Sequence, residues 1–135
     1  GVLTCALPIY KIEKVVFDNN SINRAYLKEF IAKQDFFVNK NFNNKEECIE
    51  FLTNNAIKRG LMDRATKASV FEREEVSSTA IGNMVAVPHP IYNDMDLSFI
   101  AVLILDKPIT WGTFLVQIVF LLNIKKPIEH KKKTL

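Results

Sequence analysis

The two histidines of the sequence, His89 and His130, have very different surroundings. His89 lies between Pro88 and Pro90, directly after the apolar run Val85–Val87. Pro88 fixes its own φ and has no N–H, while Pro90 favours an extended backbone at His89. This context predicts an imidazole on a stiff backbone at the end of a strand. Neutral imidazole is a good nucleophile that forms a transferable phosphoramidate. From position alone, phosphoryl transfer and a purely structural histidine are about equally good interpretations.

Three other residues have side chains that bind phosphate oxygens. Arg73 lies near the end of a predicted helix, where it is either a bidentate phosphate ligand or part of a solvated helix face. Ser78 and Thr79 follow in a polar segment, as hydrogen-bond donors to a phosphoryl group or as ordinary turn residues. His130 lies in a polar tail and by itself indicates no function.

Several other chemistries are disfavoured by what the sequence lacks. It has no Gly-Lys-Ser/Thr phosphate loop, which argues against nucleotide binding. It has no serine in a nucleophile elbow, which argues against a hydrolase. Two histidines without a paired cysteine or suitably spaced carboxylates make poor zinc ligands. We therefore predict neither a metal site nor a cofactor.

Net charge, apolar run lengths and cysteine positions indicate the kind of environment in which the protein works. The net charge of +3 falls to zero without Lys131, Lys132 and Lys133, which disfavours direct contact with nucleic acid. The longest apolar runs, 99–105 and 114–122, are shorter than the ~20 residues that span a bilayer as a helix. Cys5 and Cys48 are far apart and suggest no disulfide framework. A cytoplasmic protein without membrane insertion is expected.

The elements that position these residues follow from periodicity and capping signals. Residues 1–35 are interpreted as a lead-in segment with a helix at about 23–33. After it, strands and helices alternate. Strands are predicted at 36–42, 84–87, 97–105 and 116–122, with helices at about 45–59 and 64–75. The third strand is expected to stop at Asp106-Lys107-Pro108. Continuous apolar strands between helices predict an α/β fold, with a central sheet covered by helices on both faces.

The residues from Arg73 to His89, taken together as one motif, are a more specific signal than any of them alone. Arg73-Glu74, then Ser78 to Gly82, then Val85 to His89 resembles the signature of fructose/mannitol-type (type 2) enzyme IIA domains of the bacterial phosphotransferase system. The resemblance extends from Phe36 to about His130, so that residues 36–135 form the predicted enzyme IIA-like domain with a mixed sheet. It makes phosphorylation the favoured interpretation of His89.

The resemblance implies a set of partners and roles. The phosphocarrier protein HPr would pass a phosphoryl group to His89, which would hand it to an enzyme IIB domain. Arg73 would be the active-site arginine, and His130 would be the second histidine that helps to hold the phosphoryl group. Ser78 and Thr79 would be minor ligands, and no cofactor is implied.

Departures from the transport subunits suggest a regulatory role. Pro90 and the segment Ser77–Asn83 are more similar to the enzyme IIA-like domains of sugar-responsive transcriptional antiterminators and activators. Such a domain would follow upstream regulatory domains in the same chain. A stand-alone transporter subunit is one alternative. The other is a degenerate binding module, because the family's C-terminal helices after His130 are missing here. Their loss would expose an apolar face of the core.

Overall fold

The computed structural model describes residues 32–92 and 97–124, which form five strands and two α-helices after a short 3₁₀ helix at Lys33–Asp35. The helix predicted over 23–33 falls almost entirely outside the described residues. The elements are β1 (Phe36–Lys40), α1 (Lys45–Lys58), α2 (Arg64–Val76), β2 (Ala80–Gly82), β3 (Val85–Ala86), β4 (Phe99–Trp111) and β5 (Phe114–Asn123).

The strands form one mixed sheet in the order β1-β4-β5-β3-β2. β1 is parallel to β4 and β3 is parallel to β5, whereas the β4–β5 and β2–β3 pairs are antiparallel. This arrangement confirms the predicted α/β class and the mixed central sheet. Because β3 and β5 are parallel, their carboxyl ends meet at one edge of the sheet, and His89 follows β3 at that edge. Crevices at the carboxyl ends of strands are the usual ligand sites of α/β sheets.

Both described helices pack on the same face of the sheet. α1 contributes Ile49 and Leu52 and α2 contributes Val70 to a core that includes Leu103 and Leu121 of the central strands. The opposite face is buried as well, and its central residues are at most 2% exposed: Ile100, Val102, Ile104 and Phe120. The exposed sheet face expected of an incomplete domain is therefore not seen among these residues. Within the described ranges, neither helix has the length and apolarity that crossing a membrane requires.

The caps of α1 agree with the sequence prediction. The Asn44 side chain accepts a hydrogen bond from the Glu47 amide at 2.9 Å, and the Glu47 carboxylate accepts one from the Asn43 amide at 2.8 Å. At the other end, Gly60 has φ +76°. Its amide donates to Ile57 O, and the Leu61 amide donates to Ala56 O, which closes the helix with the C-terminal motif that favours glycine.

Two parts of the sheet differ from the prediction. β4 continues to Trp111 and does not stop at Asp106-Lys107-Pro108. The β4–β5 register shifts between Ile104 and Ile109, and an irregular stretch of this kind tolerates a proline that cannot donate to the ladder. Residues 80–82, which lie in none of the predicted strands, form edge strand β2. β2 turns into β3 through Asn83 and Met84, both with positive φ, as a tight two-residue hairpin requires.

A buried ion pair joins the start of the described chain to α1. Asp35 is 2% exposed, and its carboxylate accepts from Arg59 Nε at 2.7 Å, Arg59 Nη2 at 3.1 Å and Asn55 Nδ2 at 3.2 Å. We expect Arg59→Met to lower the free energy of unfolding in urea by about 3 kcal/mol or more, because a buried carboxylate loses its counter-charge. The double variant Asp35→Asn/Arg59→Met should lose less. A double variant as unstable as the single one would contradict this account.

Candidate functional site

The backbone around His89 is fixed by hydrogen bonds on both sides. The Val87 amide donates to Thr79 O at 3.0 Å, which extends the β2–β3 pairing beyond β3. The Leu122 amide of β5 donates to Pro88 O, also at 3.0 Å. Pro88 and Pro90 have no N–H that needs a partner. These contacts confirm that His89 lies on a constrained backbone at the end of a strand, as its proline neighbours predict.

The His89 ring is oriented by its own backbone. His89 Nδ1 lies 2.8 Å from Val87 O, and the side chain is half-buried. A carbonyl oxygen only accepts hydrogen bonds, so Nδ1 must carry the proton in this contact. In the neutral ring, the lone pair is therefore on Nε2. This arrangement suits a ring that acts as a nucleophile through Nε2.

The segment after His89 is tied to α2. The amides of Ile91 and Tyr92 donate to Ser69 Oγ at 2.8 and 3.1 Å, and Ser69 is fully buried. Ser69 was not a sequence candidate, because nothing in the pattern distinguishes it from other helix serines. Through it, the loop that carries His89 lies against the helix that carries Arg73.

Arg73 lies one helical turn after Ser69, on the same side of α2. Its Nη1 donates to Ser77 O at 2.7 Å, and no ion pair of Arg73 is present in residues 32–92 and 97–124. The His89 segment is hydrogen-bonded to Ser69 and to Thr79, and Arg73 lies between these two residues in the chain. Its half-buried guanidinium has no carboxylate partner among the described residues. An anion is the ligand that such a group lacks.

The other predicted ligands are arranged differently. The exposed Ser78 hydroxyl accepts a hydrogen bond from the Ala80 amide at 3.1 Å, as a serine in a turn often does. Its hydroxyl proton can still donate to a ligand. Thr79 is 3% exposed, and its hydroxyl donates to Glu74 at 2.6 Å. Its role as a phosphate ligand stays a prediction that this burial disfavours. His130 lies in 125–135, outside the described residues.

In the part of the chain that the structure describes, no three His, Cys, Asp or Glu side chains are placed so that they could hold a metal ion. Cys48 lies in α1 and is fully buried. Burial, and then the charges of Glu47 and Glu46, raises the pKa of the Cys48 thiol to about 12. A thiol in that state is neither a metal ligand nor a nucleophile.

Known proteins resemble this chain in sequence and in fold. Residues 29–135 match the family described as "Phosphoenolpyruvate-dependent sugar phosphotransferase system, EIIA 2". The chain is 39% identical over 116 residues to the "Probable licABCH operon regulator" of Bacillus subtilis, covering 86% of this chain and 18% of that protein. It is 29% identical over 99 residues to "Transcriptional regulator ManR" of the same organism, covering 73% and 15%. The chain thus spans less than a fifth of either regulator.

A solved structure has the same fold. Enzyme IIA of the mannitol system from Escherichia coli, in complex with phosphorylated enzyme IIB, superposes with a TM-score of 0.65. It is 17% identical, and the superposition covers 76% of each chain. The match of residues 29–135, together with the mixed sheet and the histidine after β3, shows that the chain belongs to the EIIA 2 family of the sugar phosphotransferase system.

Proposed function

We propose that this domain is a phosphohistidine carrier, in which His89 accepts a phosphoryl group from HPr and passes it to an enzyme IIB domain. The observation that carries the proposal is the contact of His89 Nδ1 with Val87 O, which leaves Nε2 as the nucleophilic nitrogen of a ring that is already oriented. Enzyme IIB is the partner in the complex of the mannitol enzyme IIA described above.

The transfer requires positioning and charge stabilisation more than covalent chemistry by the protein. The Nε2 lone pair attacks the phosphorus atom as the P–N bond of the donor breaks, and that electron pair stays on the donor nitrogen. The proton on Nδ1 stays in place, held by Val87 O. Arg73 would donate to the phosphoryl oxygens, and the Ser78 hydroxyl would add a further hydrogen bond. The predicted role of His130 is to hold the group from a second side.

A regulatory setting is the form of this function that we favour. Two relatives that match most of the chain are named as an operon regulator and a transcriptional regulator, and the chain spans only a small part of each. Pro90 and the Ser77–Asn83 segment point the same way. In this setting, phosphorylation of a cytoplasmic domain would control upstream regulatory domains of the same chain. A transporter subunit is the alternative, in which the domain would act as a separate chain.

The test is phosphoryl uptake and discharge. The chain is incubated with radiolabelled phosphoenolpyruvate, enzyme I and HPr, and then an enzyme IIB domain is added. We expect a label that is lost in acid but kept in base, as a phosphoramidate behaves, and that leaves the chain when enzyme IIB is present. Absence of label, or an acid-stable label, would contradict the proposal.

A further inference from the structure

Glu74 is a buried carboxylate that the chemistry proposed above does not use. It is 5% exposed and accepts three hydrogen bonds within the domain. The donors are Thr79 N at 2.9 Å, Thr79 Oγ1 at 2.6 Å and Trp111 Nε1 at 2.9 Å. Lys45 Nζ lies 3.9 Å from the same carboxylate. A buried carboxylate with three close donors holds the segments that carry those donors in place.

These hydrogen bonds join three elements at one point. Glu74 is in the last turn of α2, Thr79 immediately precedes β2, and Trp111 ends β4. The next residue, Gly112, has φ +67°, and a Cβ there would lie 3.0 Å from Ser78 Oγ. The end of the β4–β5 hairpin therefore packs closely on the turn between α2 and β2. The turn from Glu74 to Thr79 is fixed from both sides.

A continuous chain of hydrogen bonds leads from this turn to the His89 ring. Thr79, held by Glu74, accepts from the Val87 amide through its carbonyl at 3.0 Å. The Val87 carbonyl then accepts from His89 Nδ1 at 2.8 Å. The same turn contains Ser77, whose carbonyl holds the Arg73 guanidinium at 2.7 Å. The positions of His89 and Arg73, the two residues proposed to bind the phosphoryl group, thus both depend on the turn from Glu74 to Thr79.

We propose that Glu74 is a positioning residue of the phosphoryl-transfer site. Through Thr79 and Val87 it sets the tautomer and orientation of the His89 ring, and through Ser77 it sets the position of Arg73. The proposal rests on the function proposed above and adds to it the hydrogen bonds of Glu74, which reach the site through Thr79 and Val87.

A glutamine at this position isolates the role of the carboxylate. Glu74→Gln keeps the shape of the side chain but replaces one acceptor oxygen by an amide that only donates. All three groups stay paired only if the new amide donates to the Thr79 hydroxyl, which must then accept. The bonds from Thr79 N and Trp111 Nε1 lose the carboxylate charge that strengthens them, so the turn is held less tightly. A misplacement of about 1 Å at a reacting group costs on the order of 100-fold in rate. We expect Glu74→Gln to slow phosphoryl uptake by about 10- to 100-fold.

Two matched variants separate positioning from general stability. Glu75→Gln changes the exposed neighbouring glutamate and should take up phosphoryl groups at the wild-type rate. Trp111→Phe removes the indole N–H that donates to Glu74 but leaves both hydrogen bonds between Thr79 and Glu74. It should lower the melting temperature while uptake stays close to that of wild type. All uptake assays are run well below the lowest melting temperature of the set.

The second measurement is the tautomer of His89 from its ring ¹⁵N chemical shifts, which a purely structural role would not change. Wild type, Glu75→Gln and Trp111→Phe should show the Nδ1–H tautomer, and Glu74→Gln should show a mixture. Wild-type uptake and shifts in Glu74→Gln would overturn the proposal. So would equal losses of uptake in Glu74→Gln and Trp111→Phe. If wild type itself takes up no phosphoryl group, the proposed function fails, and the tautomer measurement still decides the role of Glu74.

Discussion

Replacement of His89 by alanine is expected to abolish phosphoryl uptake from HPr and to leave the fold intact. His89 Nε2 is the proposed nucleophile, and His89 is the only histidine within residues 32–92 and 97–124. The Thr79 hydroxyl is buried, and Cys48 is a buried thiol with a pKa raised to about 12. The side chain is half-buried, and its hydrogen bond is to its own loop. Loss of the ring should therefore change the melting temperature little. Uptake is measured as acid-labile label, and folding as circular dichroism.

The matched control for this variant is Tyr92→Phe, a conservative change at an exposed position of the same loop. It should take up label at the wild-type rate. His130→Ala is expected to keep uptake at a reduced rate, because His130 is predicted to support the phosphoryl group and not to carry it. Acid-labile label on His89→Ala would show that another residue is the acceptor, and the account of the site would then be wrong.

Replacement of Arg73 by alanine should lower the rate of phosphoryl uptake by roughly 100-fold or more. Removal of one preorganised donor from the charge that develops in a transition state typically costs this much. Arg73→Lys should recover only part of the loss, because an ammonium group keeps the charge without the fork that binds two oxygens. The measurement is the initial rate at a series of HPr concentrations, which separates the rate of transfer from the binding of the donor.

The control for Arg73 is Arg64→Ala, at the exposed first residue of the same helix. Both variants remove one positive charge from α2, so a general effect of charge on the encounter with HPr would appear in both. We expect a large decrease only for Arg73→Ala. Equal rates for the two alanine variants would show that Arg73 is a solvated helix residue without a role in transfer.

Features that depend on neighbouring residues could be predicted from the sequence. The caps at Asn44 and Gly60 follow from side-chain and backbone preferences within a few residues, and the structure has both. The stiff backbone at His89 follows from its two proline neighbours in the same way. The resemblance of the longer motif then led to the family that the comparisons show.

Features that depend on contacts distant in sequence could not be predicted. β4 passes through Pro108 because β5 provides a partner across an irregular stretch, and local turn signals contain no information about that partner. The Glu74–Trp111 hydrogen bond spans 37 residues. In the sequence, Glu74 is one of several charges at a helix end, where a solvated face is the ordinary interpretation. Only the fold reveals that this carboxylate is buried beneath the turn before β2.

The proposed role of His89 predicts which ring nitrogen carries the phosphoryl group. The chain is labelled with ¹⁵N-histidine and phosphorylated through HPr, and the coupling between ¹⁵N and ³¹P is measured by NMR. Because Val87 O holds the proton on Nδ1, we predict that the coupling appears at Nε2 of His89. Coupling at Nδ1 of His89, or at a nitrogen of His130 instead, would contradict the account.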